Sequence, residues 1–386
     1  MKILILSDIE ASGEWLSQQS FISYLKYIHP NYRFDLISYG KNQLLLNKHI
    51  FERISIIKKP VFNRPFKYYR QLIAEFIEAV KIVRKFQDIE MIIGTDYMLL
   101  LASFFVFPFK PRIFFFQGFR HFYKVSSYSF NHYMIIRKFL ERLTFFLSTK
   151  LIVPSKFAME IVKKELGIFA FFKKFYLFPN ICRPEFIKEY SHKELQSFRK
   201  KYRLSNSRYV VYAGVIEKRK SLYELIEGYS RLIRSKKRIK LIIVYLTPKM
   251  ETDYFEQLQL QVKKKGIEKS VIFLKDFGPS DLAKLFRISS VGILPSKLEM
   301  GSVFIKEALE SSLPVIASKT GETSESLKRI SPNLVLQDIS PSSIFKSLSK
   351  FFGQPDYKVQ DLRNRIKKQL YFMRKKQLYF FNKISL

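Results

Sequence analysis

Cysteine is nearly absent from this chain. Cys182 is the only one among 386 residues, which excludes an internal disulfide framework and fits a reducing compartment. Histidine is scarce, with five in all, and no Cys/His spacing of a metal site occurs. There is no Walker-type loop, no nucleophile elbow and no internal repeat. Long apolar runs are missing too. The longest uncharged apolar stretch, Tyr97 to Phe109, is too short to span a bilayer and contains Pro108. Met1 to Leu6 is not followed by the longer apolar core and cleavage site of a signal peptide and is expected to be a strand.

Acidic residues are the other shortage: 33 Asp and Glu stand against 68 Lys and Arg, a net charge of +35. Such an excess implies a polyanionic neighbour, either nucleic acid or an anionic membrane surface. Aromatic content of 16% accompanies it, and basic residues mixed with exposed Phe and Tyr suit a membrane interface. No helix-turn-helix, RRM or zinc signature supports nucleic acid, so none is expected as a partner. An AT-rich coding sequence, which enriches Lys, Ile, Phe and Tyr, would account for the same composition without any partner. Hydrophobic residues make up 47% and mean hydropathy is −0.07, as in soluble globular proteins. The length fits two or three domains, each with its own core.

The second half alternates strand and helix. Tyr209 to Ala213, Leu241 to Leu246, Val271 to Leu274 and Val291 to Leu294 read as strands. Between the first two, Leu222, Leu225, Ile226, Tyr229, Leu232 and Ile233 recur at helical spacing. Phe255, Leu258 and Val262, then Leu282, Leu285 and Phe286, mark further helices. This order predicts a parallel sheet covered by helices, with ligands at the carboxyl ends of its strands. In the first half Ile3 to Leu6, Phe34 to Ser38, Ile89 to Ile93, Ile113 to Phe116, Leu151 to Val153 and Phe175 to Phe178 read as strands. Helices are predicted from near Trp15, over 68–86, over 97–107 and over 130–148; residues 44–57 show no clear pattern.

Residues 294–325 carry the chemistry. Pro295 stops a strand, and Gly301 allows close approach of the backbone to a ligand. Ser302 is placed to cap a helix starting at Val303, whose buried stripe is Phe304, Ile305, Ala308 and Leu309. Glu307 lies off that stripe, and Glu299 precedes the turn. Two carboxylates thus flank helix N-terminal amides. The amides suit a phosphate, and the carboxylates suit sugar hydroxyls.

This segment resembles the Glu-x7-Glu region of family-4 retaining glycosyltransferases. Their pattern runs Pro-Ser-x-x-Glu-Gly-Phe-Gly-x-x-x-x-Glu-Ala-x-x-x-Gly-x-Pro-Val-Ile-Ala. Pro295-Ser296, Glu299, Glu307-Ala308 and Pro314-Val315-Ile316-Ala317 match in register, while Met300-Gly301-Ser302 replaces Gly-Phe-Gly. The turn Gly214-Val-Ile-Glu-Lys-Arg-Lys220-Ser221 resembles the family's Gly-Arg-Leu-x-x-x-Lys-Gly. Lys220 is in register, and Val215 stands at the arginine position, for which Lys218 or Arg219 is the nearest substitute.

The resemblance implies an α/β chain of the GT-B class, with two Rossmann-like domains whose parallel sheets face across a cleft. Residues 1–182 would form the acceptor-side domain, 183–207 the linker and 208–360 the nucleotide-sugar-binding domain. Residues 361–386 would form a basic helix crossing back to the first domain. The implied activity is metal-independent hexosyl transfer from a nucleotide sugar, with a UDP-sugar favoured and GDP-mannose next. The acceptor would be a cell-surface glycan or lipid-linked saccharide. Glu299 and Lys220 would be catalytic. Gly214, Arg219, Lys220, Glu299, Gly301, Ser302, Val303, Phe304 and Glu307 would bind the donor. Gly13, Gln117 and His121 would line the acceptor side. No cofactor and no metal are implied. The location expected is cytoplasmic, at the inner face of the cytoplasmic membrane where lipid is engaged. The opposing reading is an inactive GT-B scaffold that binds a polyanion or membrane; Val215, Gln117 and the altered turn favour it.

Overall fold

The computed structural model describes residues 1–8, 18, 21–23, 25–27, 29–39, 48–57, 67–116, 132–178, 182–235, 238–246, 250–299 and 301–381. The chain divides into two compact units, Met1–Ile181 and Cys182–Leu386.

The first unit is built on seven parallel strands: β1 (Lys2–Asp8), β2 (Arg33–Tyr39), β3 (Arg53–Ile57), β4 (Met91–Gly94), β5 (Arg112–Phe115), β6 (Lys150–Val153) and β7 (Lys174–Leu177). Their order is β3-β2-β1-β4-β5-β6-β7. Connections run one way from β1 to β3 and the other way from β4 to β7, the doubly wound arrangement. β1 lies at the reversal, with Ile5 opposite Leu36 on one side and Ile93 on the other. Ile3, Leu4, Ile5 and Leu6 are accordingly buried completely. β3 is the strand that residues 44–57 concealed. It is an edge strand in which only Ile57 is fully buried, and such a strand needs no apolar run.

The helix Tyr97–Val106 is apolar almost throughout because Tyr97 to Ser103 are all buried. Asp96 caps its start, accepting from the amides of Met98 and Leu99 at 3.0 Å each. At its other end the Arg112 guanidinium donates to the carbonyls of Ser103, Phe107 and Lys110. The carbonyls of Ser103 and Phe107 also accept backbone amides, so the guanidinium adds charge-assisted bonds at the negative end of the helix.

The second unit holds five parallel strands: β8 (Arg208–Ala213), β9 (Ile239–Tyr245), β10 (Val271–Lys275), β11 (Val291–Leu294) and β12 (Val315–Ala317). Their order is β10-β9-β8-β11-β12, so this sheet reverses between β8 and β11. The helix Leu222–Ser235 buries Leu222, Leu225, Ile226, Tyr229 and Leu232, the stripe its spacing predicts. Residues 184–204 also belong to this core: Phe186, Phe198 and Leu204 are buried in it. So are Leu362, Ile366 and Leu370 of the C-terminal helix Asp356–Phe381.

Two serines hold the backbone where glycine is favoured. Ser221 has φ 52° and Ser312 has φ 57°, both at positions that are glycine in the family pattern quoted above. The left-handed conformation costs an L-residue about 1–2 kcal/mol, partly offset by the greater freedom glycine has when unfolded. Ser312→Gly should therefore stabilise the protein by about 0.5–1 kcal/mol. Ser312→Val, with a branched Cβ, should destabilise it. Thermal unfolding of the two variants checks the sign, and equal midpoints would show that the backbone at 312 relaxes freely.

Candidate functional site

The site residues follow the two strands at which the second sheet reverses. β8 and β11 are neighbours, with Val291 opposite Val210. The chain after β8 turns toward β9, and the chain after β11 toward β12. Their loops therefore diverge and leave a crevice at the carboxyl ends, where such sheets bind ligands.

After β8, Tyr212 folds its phenol back and donates to the Val215 carbonyl at 2.7 Å. A Cβ on Gly214 would lie 2.8 Å from that phenol oxygen, so any other residue there displaces the phenol from this bond or shifts the turn. A short helical turn, Lys218–Lys220, follows. It presents Arg219 and Lys220 toward the loop after β11. The Lys297 amide donates to the Arg219 carbonyl at 2.8 Å, and Arg219 Nη1 donates to the Leu298 carbonyl at 3.2 Å. These bonds tie the two loops together.

Their charges then meet. Lys220 Nζ donates to Glu299 Oε1, and Arg219 Nη1 lies 3.6 Å from the same oxygen. Arg219 also holds Glu217 at 2.6 Å through Nε. Lys220 and Glu299 are each 8% exposed. Burial pushes the Glu299 carboxyl up, but Lys220 and Arg219 outweigh it, and the group ends below the ordinary glutamate value. Burial lowers the Lys220 ammonium, and Glu299 opposes that without cancelling it. Ser221 is completely buried, and its Oγ has no hydrogen-bond partner among the described residues.

The second carboxylate is held differently. The helix Val303–Glu310 starts at its predicted residue, and Ser302 Oγ accepts from the Ile305 amide at 3.3 Å. By helix geometry the amides of Val303 and Phe304 have no intrahelical partner. The Phe304 ring packs in the core, edge-on to Phe286 at 5.5 Å. Glu307 was expected off the buried stripe, yet it is 2% exposed. The reason is Arg183, which donates from Nε to Oε1 at 2.6 Å and from Nη2 to Oε2 at 2.9 Å. Burial raises the Glu307 carboxyl, and Arg183 offsets only part of that. Burial and the charges of Glu307 and Glu310 push the neighbouring Cys182 thiol up, which keeps it an inert thiol.

The second unit thus brings together Arg219, Lys220 and Glu299, with Gly214 shaping the turn. Gly301, Ser302, Val303, Phe304 and Glu307 continue from Glu299 into the next turn and helix. Gly13, Gln117 and His121 lie outside the described residues. Arg183 and Ser221 were not predicted. Arg183 carries no local signal in the sequence, and Ser221 is marked only as the residue after Lys220. No group of three or more His, Cys, Asp or Glu side chains that could hold a metal occurs among the described residues.

Residues 195–371 match the family model of the glycosyl transferases group 1. This part of the chain is a glycosyltransferase domain. No curated protein matches the chain by sequence. Among solved structures, Anabaena HepE in complex with UDP and glucose is similar at a TM-score of 0.72 and 15% identity, covering 100% of this chain and 98% of that one. The sucrose-phosphate synthase of Thermosynechococcus elongatus is similar at 0.71 and 14% identity, over 99% and 100% of the two chains. An α,α-trehalose-phosphate synthase (UDP-forming) from Burkholderia vietnamiensis reaches 0.71 at 11% identity, over 98% and 97%. These likenesses establish the GT-B fold. In the glycosyltransferase domain the family match spans β8 to β12 and both loops of the site.

The two carboxylates should titrate in opposite directions. Carbon-13 NMR of glutamate-labelled protein should show one carboxyl above the ordinary value of about 4.3 that Glu307→Gln removes, and one below it that Glu299→Gln removes. Glu307 binds its proton more tightly when folded, so its contribution to stability falls as pH rises from the ordinary glutamate value through its folded value. The contribution of Glu299 is lost only as pH falls through its depressed value. Both carboxyls titrating near the ordinary value would contradict the burial of the pairs. Arg183→Ala leaves Glu307 buried without its fork and should cost about 3 kcal/mol in urea unfolding.

Proposed function

We propose that the protein transfers a hexosyl group from a nucleotide-diphosphate sugar to an acceptor hydroxyl, with retention at the anomeric carbon and without a metal. A UDP-sugar is the first donor to test and GDP-mannose the second. The acceptor class is a cell-surface glycan or a lipid-linked saccharide. The observation that carries this reading is the convergence of Lys220 and Arg219 on Glu299 at the sheet reversal. The ligands of the Anabaena HepE structures, UDP, glucose and UDP-glucose, support a UDP-sugar.

The leaving diphosphate carries the charge that develops in the reaction. Lys220, Arg219, the Ser221 hydroxyl and the amides of Val303 and Phe304 supply fixed donors for it. Preorganised donors of this kind stabilise a transition state without reorganising. Glu299, ionised by its two cations, accepts from hydroxyls of the transferred sugar and orients it. Glu307 accepts from the ribose hydroxyls. Each carboxylate oxygen offers more than one lone pair, so Arg183 can stay in place while the ribose donates.

A panel of nucleotide sugars, followed by release of the nucleoside diphosphate, names the donor and tests the reading. Turnover should survive EDTA; complete loss restored by Mn2+ would sink the metal-free mechanism. An inert protein that binds none of the panel would favour the non-catalytic scaffold instead.

Lys220→Met should lower UDP affinity and turnover together, since a charge-assisted bond contributes roughly 1.5–3 kcal/mol. Glu299→Gln removes a negative charge beside the diphosphate. It should leave UDP affinity equal or tighter while turnover drops about tenfold or more. Titration calorimetry with UDP beside steady-state rates separates the two, and a Glu299→Gln enzyme with full turnover would refute the orienting role.

A further inference from the structure

One face of the first unit is apolar, basic and without a partner. In the helix His132–Leu147, Ile135, Phe139 and Phe146 share one side, with Arg142 between them. All three apolar side chains are exposed. The Phe146 ring meets Phe169 edge-on at 5.2 Å, which joins this stripe to the short turn Gly167–Phe172. That turn buries none of its residues. Phe171 is 89% exposed, Phe172 82% and Ile168 72%, so their side chains contribute almost nothing to the core.

The charge around these side chains indicates what covers them. Residues 132–178 contain nine Lys or Arg against three Glu. Of the three, Glu141 is buried and Glu165 is paired with Arg142 at 2.5 Å. Lys163, Lys164 and Lys174 are exposed beside the turn. A second copy would bring the same cations against these and be repelled. Duplex nucleic acid would satisfy the charge but leave the phenylalanines in water. An anionic bilayer satisfies both, since its interface takes apolar side chains below the headgroups and cations among them. No helix among the described residues is long and apolar enough to cross a membrane.

We infer that this face docks on an anionic lipid surface, with Phe171 and Phe172 entering the interface and the lysines beside them contacting headgroups. The inference is independent of the transfer chemistry, because the whole surface lies within Met1–Ile181.

The test is sedimentation of the full chain with vesicles of phosphatidylcholine alone, or of three parts phosphatidylcholine to one of phosphatidylglycerol. Binding should need the anionic lipid and weaken as salt rises. Phe171→Ser combined with Phe172→Ser should weaken it about tenfold or more, with thermal midpoint and UDP affinity unchanged. Lys163→Glu combined with Lys164→Glu should flatten the salt dependence. Four results would overturn the inference: no binding to either vesicle, equal binding to both, a serine variant that binds like the wild type, or duplex DNA displacing the vesicles. A self-association that the serine variant abolishes would assign the face to a second copy instead.

Discussion

A buried charge pair at the reversal of the second sheet governs the rest of the site. Lys220 and Glu299 come from loops 79 residues apart that leave neighbouring strands in opposite directions. Removing either charge from water costs several kcal/mol, repaid only while the other stays beside it. The pair therefore closes what the topology opens. The main-chain bond from Lys297 to Arg219 sets the spacing, and Tyr212 over Gly214 sets the direction in which the first loop leaves its strand. A site built on loops gains in this way the rigidity usually supplied by strands and helices.

The two carboxylates are held by cations of different character. Arg183 grips Glu307 through both ends of a planar fork, fixing the carboxylate plane. Lys220 meets Glu299 as a point charge with three donors that can rotate. A diphosphate arriving beside Lys220 can share those donors while Glu299 keeps its contact, because ammonium hydrogen bonds have no fixed plane. Arg183 has no such freedom without releasing Glu307. In the proposed reaction lysine would serve the leaving group and arginine would brace the second carboxylate, and exchanging the two would fail at both positions.

Strands buried on both sides were legible in the sequence, since β1, β8 and β11 read as short apolar runs with clear stops. The helix after β11 was legible to its first residue, because Ser302 followed by a periodic apolar stripe is a local signal. What escaped was non-local. β3 lies at a sheet edge and needs no apolar pattern. Residues 183–207 looked like a linker because Phe186, Phe198 and Leu204 are too sparse to show a period, yet all three are buried in the second core. Glu307 looked exposed from its angle on the helix, and it is covered by an arginine 124 residues earlier. Ser221 and Ser312 adopt a conformation that their residue type does not advertise.

The excess of positive charge has two explanations that differ in what they say about position. A biased coding sequence raises the number of Lys, Phe, Tyr and Ile but does not choose where each one goes. Folding does choose. Tyr209, Tyr212, Tyr229 and Phe115 are buried completely, as the hydrophobic effect requires of large side chains with room in a core. Phe171 and Phe172 stand almost fully in water on a turn that buries none of its residues. Composition supplies such residues. Their gathering beside exposed lysines, continuous with an apolar helix face, is a matter of placement, and a contiguous exposed apolar patch of this kind marks an interaction surface more often than it marks composition.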